Sequence, residues 1–379
     1  MDAYFGKLAQ YIETRAPVLT VYLASGPAIR LPRSPEMQPL EAFASAWDVI
    51  VAWIAAYFSG MGSQPAAARQ LGTKALAPLC LHVRATEIMA GEYFMHEVYR
   101  RVFPRMLKKT APDILLYPFE NRSWEKILLT AAAPVVRRRI GYQHSSITPR
   151  HLAFHVQSGE IPAGFLPDRI YTIGEITAGY LRRTAPGFAD RLEAGVSFRA
   201  ARQAVAEVAS PAVLVAISSS SNEALSLLQI THAAASRVDL PFIVRSHPTI
   251  PADALYRLFD WPRNVELSTG STLARDLSRT TMVAYSSSTV ALEGMLYGRL
   301  PIFVDIGDIP SGDPIMGDHP FRFHARDGAS LAAAMTGIVA LGAKELDELR
   351  REARHFAERY LGDPDPAAAS RMADSILRS

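Results

Sequence analysis

The residues that could carry chemistry are concentrated in polar clusters that directly follow short apolar runs. The richest cluster, Ser-Ser-Ser-Thr-Val-Ala-Leu-Glu at 286–293, lies between the apolar runs 282–285 and 301–304. This pattern predicts a buried strand, a hydroxyl-rich turn, a helix and a second buried strand. Because the N–H groups at a helix N-terminus favour anions, hydroxyls at this position would suit a phosphate. The competing interpretation is that Ser288 or Thr289 only caps the helix.

Three further polar residues come shortly after other predicted strands: Glu120, His144 and His247. Each has a structural explanation when taken alone. Glu120 could cap the next helix or pair with Arg122, and either histidine could fill a loop through hydrogen bonds. However, ligands of open parallel sheets bind beyond the carboxyl ends of the strands. Four polar clusters at such positions, two in each half of the chain, therefore predict a ligand crevice.

The alternation of apolar and amphipathic runs predicts an α/β protein with parallel sheets. We expect one Rossmann-like domain over 1–190, with a single long helix over 84–109, and a second such domain over 205–345. The last segment, 346–379, is expected to form two charged helices, broken at Gly362-Asp363-Pro364-Asp365-Pro366, that pack back toward the first domain. There is no early Gly-x-Gly-x-x-Gly motif. The predicted architecture is two domains that face each other across a cleft.

Composition narrows the class of protein. The chain has 379 residues, of which 49% are hydrophobic, and a formal net charge of only +3, so nucleic-acid binding is not expected. The single cysteine, Cys80, excludes an internal disulfide framework and fits a reducing compartment. Because no secretion-signal pattern or membrane-length apolar run is present, we expect a cytoplasmic protein. The basic clusters Arg137–Arg139 and Lys108–Lys109 are either solvated faces or attracted to an anionic membrane or glycan.

His247-Pro248, the hydroxyl cluster and the later Gly298-Arg299-Leu300-Pro301 together resemble the nucleotide-sugar-binding half of GT-B glycosyltransferases. The likeness is greatest to bacterial capsule and lipopolysaccharide enzymes that use CMP-activated acidic sugars. These are the Kdo transferases and, more distantly, the GT-B sialyltransferases. The resemblance is good over 212–305, moderate over 118–146 and absent from the first hundred residues.

The resemblance implies roles for individual residues. His247 would bind the donor phosphate and could protonate the leaving group, while Ser288 and Thr289 would contact the same phosphate, with Ser287 as the adjacent alternative. Glu293 would contact the nucleotide ribose, unless it only stabilises its helix.

Three more features complete this candidate site. Gly294 stands where the family motif Glu-Ala-x-x-x-Gly-x-Pro has alanine. Ser218 and Arg245, near the ends of two predicted strands, complete the candidate nucleotide- and phosphate-binding residues.

Sugar transfer also needs a base for the acceptor hydroxyl and stabilisation of the charge that develops on the leaving phosphate. We predict Glu120 as the base, with His144 as the substitute if Glu120 only organises its loop. No Asp-x-Asp motif follows a strand, and Asp305 with Asp308 is the only carboxylate pair that could hold a metal. We therefore expect neither a metal nor another cofactor.

The resulting hypothesis is an inverting, metal-independent glycosyltransferase that moves Kdo or a nonulosonic acid from its CMP ester to a surface polysaccharide or lipopolysaccharide. Its expected partners are the nucleotide-sugar donor and the glycan acceptor, and peripheral association with the inner membrane or with an assembly complex stays open. The alternatives are a sugar-nucleotide 2-epimerase, a CDP-alcohol glycerophosphotransferase and a non-catalytic subunit of a glycan assembly complex.

Overall fold

The first half of the chain builds a parallel sheet flanked by helices. The computed structural model describes residues 5–23, 36–61, 77–156, 164–198, 210–248, 250, 252–362 and 365–378. The elements up to residue 198 are α1 (Leu8–Glu13), β1 (Thr20–Tyr22), β2 (Met37–Pro39), α2 (Ala46–Met61), α3 (Ala77–Met89), α4 (Glu92–Thr110), β3 (Ile114–Pro118), α5 (Ser123–Ala132), β4 (Arg138–Tyr142), β5 (Arg169–Thr172), α6 (Glu175–Thr184) and β6 (Leu192–Ala194). Strands β3-β4-β5-β6 form the main sheet in that order, and β1 pairs with β2 separately.

The second half builds a six-stranded parallel sheet with the order β12-β11-β10-β7-β8-β9. Its elements are β7 (Val213–Ala216), α7 (Ser221–Ala235), β8 (Phe242–Arg245), α8 (Ala252–Tyr256), β9 (Val265–Ser268), α9 (Leu273–Ser278), β10 (Met282–Tyr285), α10 (Val290–Leu296), β11 (Leu300–Val304), β12 (Phe323–Ala325), α11 (Gly328–Ala340), α12 (Ala343–Leu361) and α13 (Pro366–Arg378). Counted within this sheet, the order is 3-2-1-4-5-6, that of the dinucleotide-binding Rossmann fold. The central strands are continuous buried apolar runs, as strands covered on both faces require.

Two predictions about the first half need correction. The helix expected over 84–109 is two helices, because Gly91 adopts a left-handed conformation, with φ of 77°, and separates α3 from α4. The sheet of the first half also extends beyond residue 190, since β6 pairs with β5 through Leu192. The expected start of the second domain at 205 lies outside the described residues.

The C-terminal helices return to the first sheet, as predicted. Helix α12 contacts both α10 of the second half and α6 of the first, and α13 packs on α1. Polar contacts hold α13 against the first half: Arg15 pairs with Asp374 at 2.6 Å, and the hydroxyls of Tyr171 and Ser375 are 2.8 Å apart. One continuous apolar core therefore runs from the first sheet through these helices into the second.

A buried tyrosine fixes the end of α12 against the first half. The Tyr360 hydroxyl donates to the Ile147 carbonyl at 3.0 Å and accepts from the Ile147 N–H at 2.9 Å. Its burial raises the pKa of Tyr360 above its usual value, so the hydroxyl keeps its proton for this bond. Gly174 makes the approach sterically feasible, since a Cβ there would lie 2.3 Å from the Tyr360 carbonyl oxygen.

A buried carboxylate shapes the loop after β3. Glu125, with only 1% of its surface exposed, accepts the backbone N–H groups of Glu120 at 2.9 Å, Asn121 at 3.1 Å and Arg122 at 3.0 Å. Burial raises the pKa of Glu125 to about 7, although these three hydrogen bonds oppose the shift. The loop that carries Glu120 is thus held from beneath by Glu125.

We predict that Glu125 makes stability depend on pH. Because its folded pKa of about 7 lies above the ordinary glutamate value of 4.5, the unfolded chain loses this proton first as the pH rises. The wild type should therefore lose about 3 kcal/mol of stability relative to Glu125→Gln between pH 4.5 and pH 7, since each pKa unit corresponds to about 1.4 kcal/mol. Urea unfolding of both proteins across this range measures the difference. A difference that stays constant or grows with pH would contradict the raised pKa.

Candidate functional site

The candidate site lies at the topological switch point of the second sheet, where the strand order reverses. Strands β7 and β10 are neighbours, and from them the chain proceeds to opposite edges of the sheet. In such sheets the crevice beyond the carboxyl ends of the two strands is the usual ligand site. The register places Tyr285, Ala216 and Arg245 side by side at the ends of β10, β7 and β8. The segments that carry Ser288, Ser218 and His247 therefore leave three adjacent strands at the same edge.

The hydroxyls after β10 have different surroundings. The buried Ser288 accepts a hydrogen bond from the Val290 N–H at 3.3 Å, so its oxygen helps to cap α10, while its hydroxyl proton can still be donated to a phosphate. Thr289 occupies the N-cap position of α10 without a side-chain capping bond. Ser287 donates to the Glu223 carboxylate at 2.5 Å. Ser287 thereby links the end of β10 to the first turn of α7.

The departure from the family motif at Gly294 has a steric cause. A Cβ at this position would lie 2.7 Å from Cγ2 of Val283, closer than side chains pack. Helix α10 therefore lies directly on β10, and Gly294 permits that approach. Glu293 precedes it in the first turn of α10 and is half-buried.

Arg245 has a carboxylate partner within the second half. Its Nη1 lies 2.6 Å from Oδ2 of Asp276 and donates to the Ser271 carbonyl at 3.0 Å. Burial acts to raise the pKa of Asp276, but hydrogen bonds from Ser268, Ser271 and Arg245 outweigh it and lower the pKa. Arg245 thus neutralises a buried carboxylate on α9, and its contact with a phosphate stays a prediction.

Two other predicted residues lie in turns at the same sheet edge. Ser218 is buried after β7, and its hydroxyl lies 3.4 Å from the Ser220 N–H. His247 is half-buried after β8, and its carbonyl accepts the Ile250 N–H at 3.0 Å. Both positions agree with a site beyond the strand ends.

Glu120 and His144 meet at the carboxyl edge of the first sheet. They follow the adjacent strands β3 and β4, and Oε1 of Glu120 lies 3.8 Å from Nε2 of His144. Oε2 of Glu120 also accepts from Nε of Arg122 at 3.1 Å. The Glu120 side chain is one-third exposed while His144 is buried, so the carboxylate is the member of the pair that solvent or a substrate can reach.

Arg150, which the sequence did not single out, joins the two halves. It lies in the segment after β4, yet its Nη1 is 2.6 Å from Oε1 of Glu223 on α7 and its Nη2 bonds to Asp308 after β11. Its Nε also donates to the Pro310 carbonyl at 2.9 Å. Gly312 makes room for this contact, since a Cβ there would lie 2.7 Å from the Arg150 guanidinium carbon.

A cavity of about 310 Å³ opens beside this contact, between the two halves. Its walls come from the segment after β4, the start of α7 and the segment after β11, and the lining residues are Arg150, Ser220, Asn222, Glu223, Ser226, Ile306, Asp308, Ile309 and Pro310. The cavity thus combines the start of α7 and the segment after β11 with a cation from the first half. That composition suits a polar ligand held between the halves. The predicted nucleotide- and phosphate-binding residues are not among its lining residues.

The segment after β11 that lines the cavity is anchored by another buried carboxylate, Asp313. It accepts from the Tyr285 hydroxyl at 2.8 Å and pairs with Arg322 at 2.7 Å. Burial raises the pKa of Asp313 despite these bonds. The loop after β11 is therefore attached to the last residue of β10, next to the hydroxyl cluster.

The candidate metal carboxylates are engaged in other contacts. Asp308 pairs with Arg150, while Asp305 accepts the Gly307 N–H at 2.9 Å and lies 3.9 Å from His324. Within the part of the chain that the structure describes, no group of three or more His, Cys, Asp or Glu side chains is placed to hold a metal ion.

Comparison with solved structures relates this architecture to known enzymes. The chain aligns with CalG4, the calicheamicin glycosyltransferase, at a TM-score of 0.51 and 15% identity, over 75% of this chain and 79% of CalG4. It aligns with Anabaena Alr3699/HepE, solved in complex with UDP and glucose, at a TM-score of 0.51 and 11% identity, over 73% of this chain and 81% of the other. No protein-family model matches the sequence, and no curated protein matches it.

These likenesses concern the fold, and they agree with the strand orders and the returning C-terminal helices. The chain therefore has the GT-B fold: two Rossmann-like domains face each other across a cleft, and the C-terminal helices pack back on the first domain.

Proposed function

We propose that this protein is a glycosyltransferase that transfers an acidic sugar from a CMP ester to a glycan acceptor. The observation that carries the proposal is the polar cavity between the two domains, which Arg150 of the first domain and the first turn of α7 both line. The segment that supplies Arg150 also supplies His144, which lies beside Glu120. The segment after β4 thus extends from the proposed base to the cavity. This placement suits a reaction between a donor held by one domain and an acceptor held by the other.

In the proposed reaction, Glu120 takes the proton of the acceptor hydroxyl as that oxygen attacks the anomeric carbon of the donor sugar. The new carbon–oxygen bond forms on the face opposite the leaving group, and the bond between the anomeric carbon and the phosphate oxygen breaks. CMP leaves with the electron pair of that bond. His247, Ser288 and Thr289 would stabilise the charge that develops on its phosphate.

The assignment of an acidic sugar is supported by the surroundings of Arg150. An acidic sugar brings a carboxylate, and Asp308, the more exposed of the two carboxylates on Arg150, can be exchanged for it. In such an exchange the sugar carboxylate takes the place of the Asp308 carboxylate, which has the same charge and shape. The Arg150 guanidinium meanwhile keeps its contact with Glu223. The assignment of CMP is supported by the resemblance of His247-Pro248 and the hydroxyl pair to CMP-sugar enzymes. UDP is the competing nucleotide, because the HepE structure holds it.

We predict that CMP stabilises the protein more than CDP, UDP or GDP does. A ligand present at 100 times its Kd adds about 2.7 kcal/mol to stability, which a thermal-shift measurement detects. His247→Asn and Ser288→Ala should each reduce the shift with CMP, whereas His355→Asn, on the exposed side of α12, should leave it unchanged. Stabilisation by UDP alone would refute the cytidylate assignment. A protein indifferent to all four nucleotides would refute the transferase proposal.

We further predict that Glu120→Gln lowers kcat by about 10²–10⁴-fold, because the amide cannot accept the acceptor proton. Its thermal shift with CMP should match that of the wild type, since the nucleotide contacts lie in the other domain. Glu175→Gln, at the exposed ion pair with Arg359, is the matched control. Turnover by Glu120→Gln at the wild-type rate would remove Glu120 from the base role.

Product analysis of the same reactions separates the alternative functions. Sugar transfer consumes the CMP-sugar only when an acceptor is present. An epimerase would convert the donor without an acceptor, a glycerophosphotransferase would release CMP from a CDP-alcohol, and a non-catalytic subunit would bind the nucleotide without consuming it. Each of these three results would overturn the proposed reaction.

A further inference from the structure

Helix α2 packs with its large apolar side chains facing outward. The side chains on its inner face are small or polar, with Asp48 and Ala52 buried. The opposite face, which we name the α2 apolar face, consists of Trp47, Ile50, Trp53, Ile54, Tyr57 and Phe58. Its two tryptophans are 68% and 65% exposed, and Phe58 is 64% exposed. A contiguous exposed surface of this kind indicates an interaction site, since monomeric proteins rarely expose so many large apolar groups together.

An ion pair holds the opposite face of α2 against helix α4. Arg105 of α4 donates to both carboxylate oxygens of Asp48, at 2.5 Å and 3.0 Å, and to the Phe43 carbonyl at 2.9 Å. The Ser45 hydroxyl and N–H add two bonds to the same carboxylate. Hydrogen bonds from Arg105 and Ser45 hold the pKa of Asp48 well below its usual range. Rotation of α2 would leave this buried charge without partners, which is strongly destabilising.

The neighbouring helix supplies positive charge beside the apolar face. Helix α4, which packs along α2, has five Lys and Arg residues against two Glu. Arg100 and Arg101 pair with Glu97, and Arg105 pairs with Asp48. Lys108 and Lys109 are exposed, and Nζ of Lys109 lies 5.4 Å from the centre of the Phe43 ring, just before α2. The only charged residue of α2 itself is Asp48, which Arg105 neutralises. The surface is therefore apolar along α2 and cationic at the C-terminal end of α4.

We propose that the α2 apolar face and the cations of α4 dock this protein on an anionic bilayer surface. Tryptophan and tyrosine prefer the boundary between lipid tails and headgroups, where the ring is buried and its polar atom stays hydrated. The 16 residues of α2 span about 24 Å at 1.5 Å per residue, less than the ~30 Å hydrocarbon core, so the helix lies along the membrane surface. No single helix among the described residues is long and apolar enough to cross a membrane.

Charge favours a lipid surface over a second copy of this chain. A symmetric contact between two copies would bring the cations of one α4 toward those of the other, while anionic headgroups complement them. This inference does not depend on the proposed enzymatic function, because it uses only α2 and α4.

Vesicle binding by the full chain tests the proposal. Wild-type protein should bind vesicles of phosphatidylglycerol and phosphatidylcholine, with a blue shift of tryptophan emission, and bind phosphatidylcholine vesicles more weakly. Trp47→Gln/Trp53→Gln should weaken binding about tenfold or more, because two aromatic groups no longer enter the lipid. Leu258→Gln is the matched control, since Leu258 is 66% exposed but lies in the second domain. Lys108→Gln/Lys109→Gln should remove most of the preference for anionic vesicles.

Circular dichroism and thermal unfolding establish that each variant is folded. Two results would overturn the proposal: vesicle binding that the tryptophan substitutions leave unchanged, or no vesicle binding by the wild type. Light scattering tests whether a second copy of the chain covers the α2 apolar face instead. A wild-type dimer that dissociates in Trp47→Gln/Trp53→Gln, without vesicle binding, would assign the α2 apolar face to a second copy.

Discussion

The relation between the two domains depends on the buried hydroxyl of Tyr360. This side chain belongs to α12, which begins against the second domain, yet its hydroxyl bonds to both the N–H and the carbonyl of Ile147 in the first. The absence of a Cβ at Gly174 lets the α12 backbone approach closely enough for these bonds. Ile147 lies between His144 and Arg150. The two Tyr360–Ile147 hydrogen bonds therefore also fix the segment that reaches both the proposed base and the cavity. A displacement at Tyr360 would therefore move both halves of the site at once.

The two contacts between the domains differ in how readily they can change. Tyr360 is fully buried, so breaking its bonds would leave polar groups without partners in a dry interior. Arg150 and Asp308 are partly exposed, and water or a ligand can replace either partner at small cost. The Tyr360–Ile147 hydrogen bonds can thus persist while Arg150 exchanges Asp308 for water or a ligand. This division of roles suits a cleft that must admit a charged ligand and still hold its two walls in a fixed relation.

The sequence predicted what depends on local pattern and missed what depends on tertiary contact. Strand β10, the turn at Ser288 and the helix that follows were readable because apolar runs and capping residues are local signals. Strands β6 and β12 were missed because each has three residues without an apolar run, and only the neighbouring strand defines them. Arg150 gave no signal, since its partners lie far along the chain. Glu223 could have been found by applying the strand-end rule to β7. The rule selected Glu120, but the fully buried carboxylate of that loop is Glu125, a distinction that only packing reveals.

In helix α2 the face that packs against the domain is the small and polar one. An amphipathic helix ordinarily buries its large apolar side chains, and here Asp48 occupies the inner face with Arg105 as its partner. Helix α4 in turn packs on α5, which begins directly after the loop of Glu120. The α2 apolar face and the proposed base therefore belong to one packed unit of the first domain. If α2 lies on a bilayer, an acceptor anchored in that bilayer approaches the domain that carries Glu120, while a soluble nucleotide donor reaches the other domain from the aqueous side.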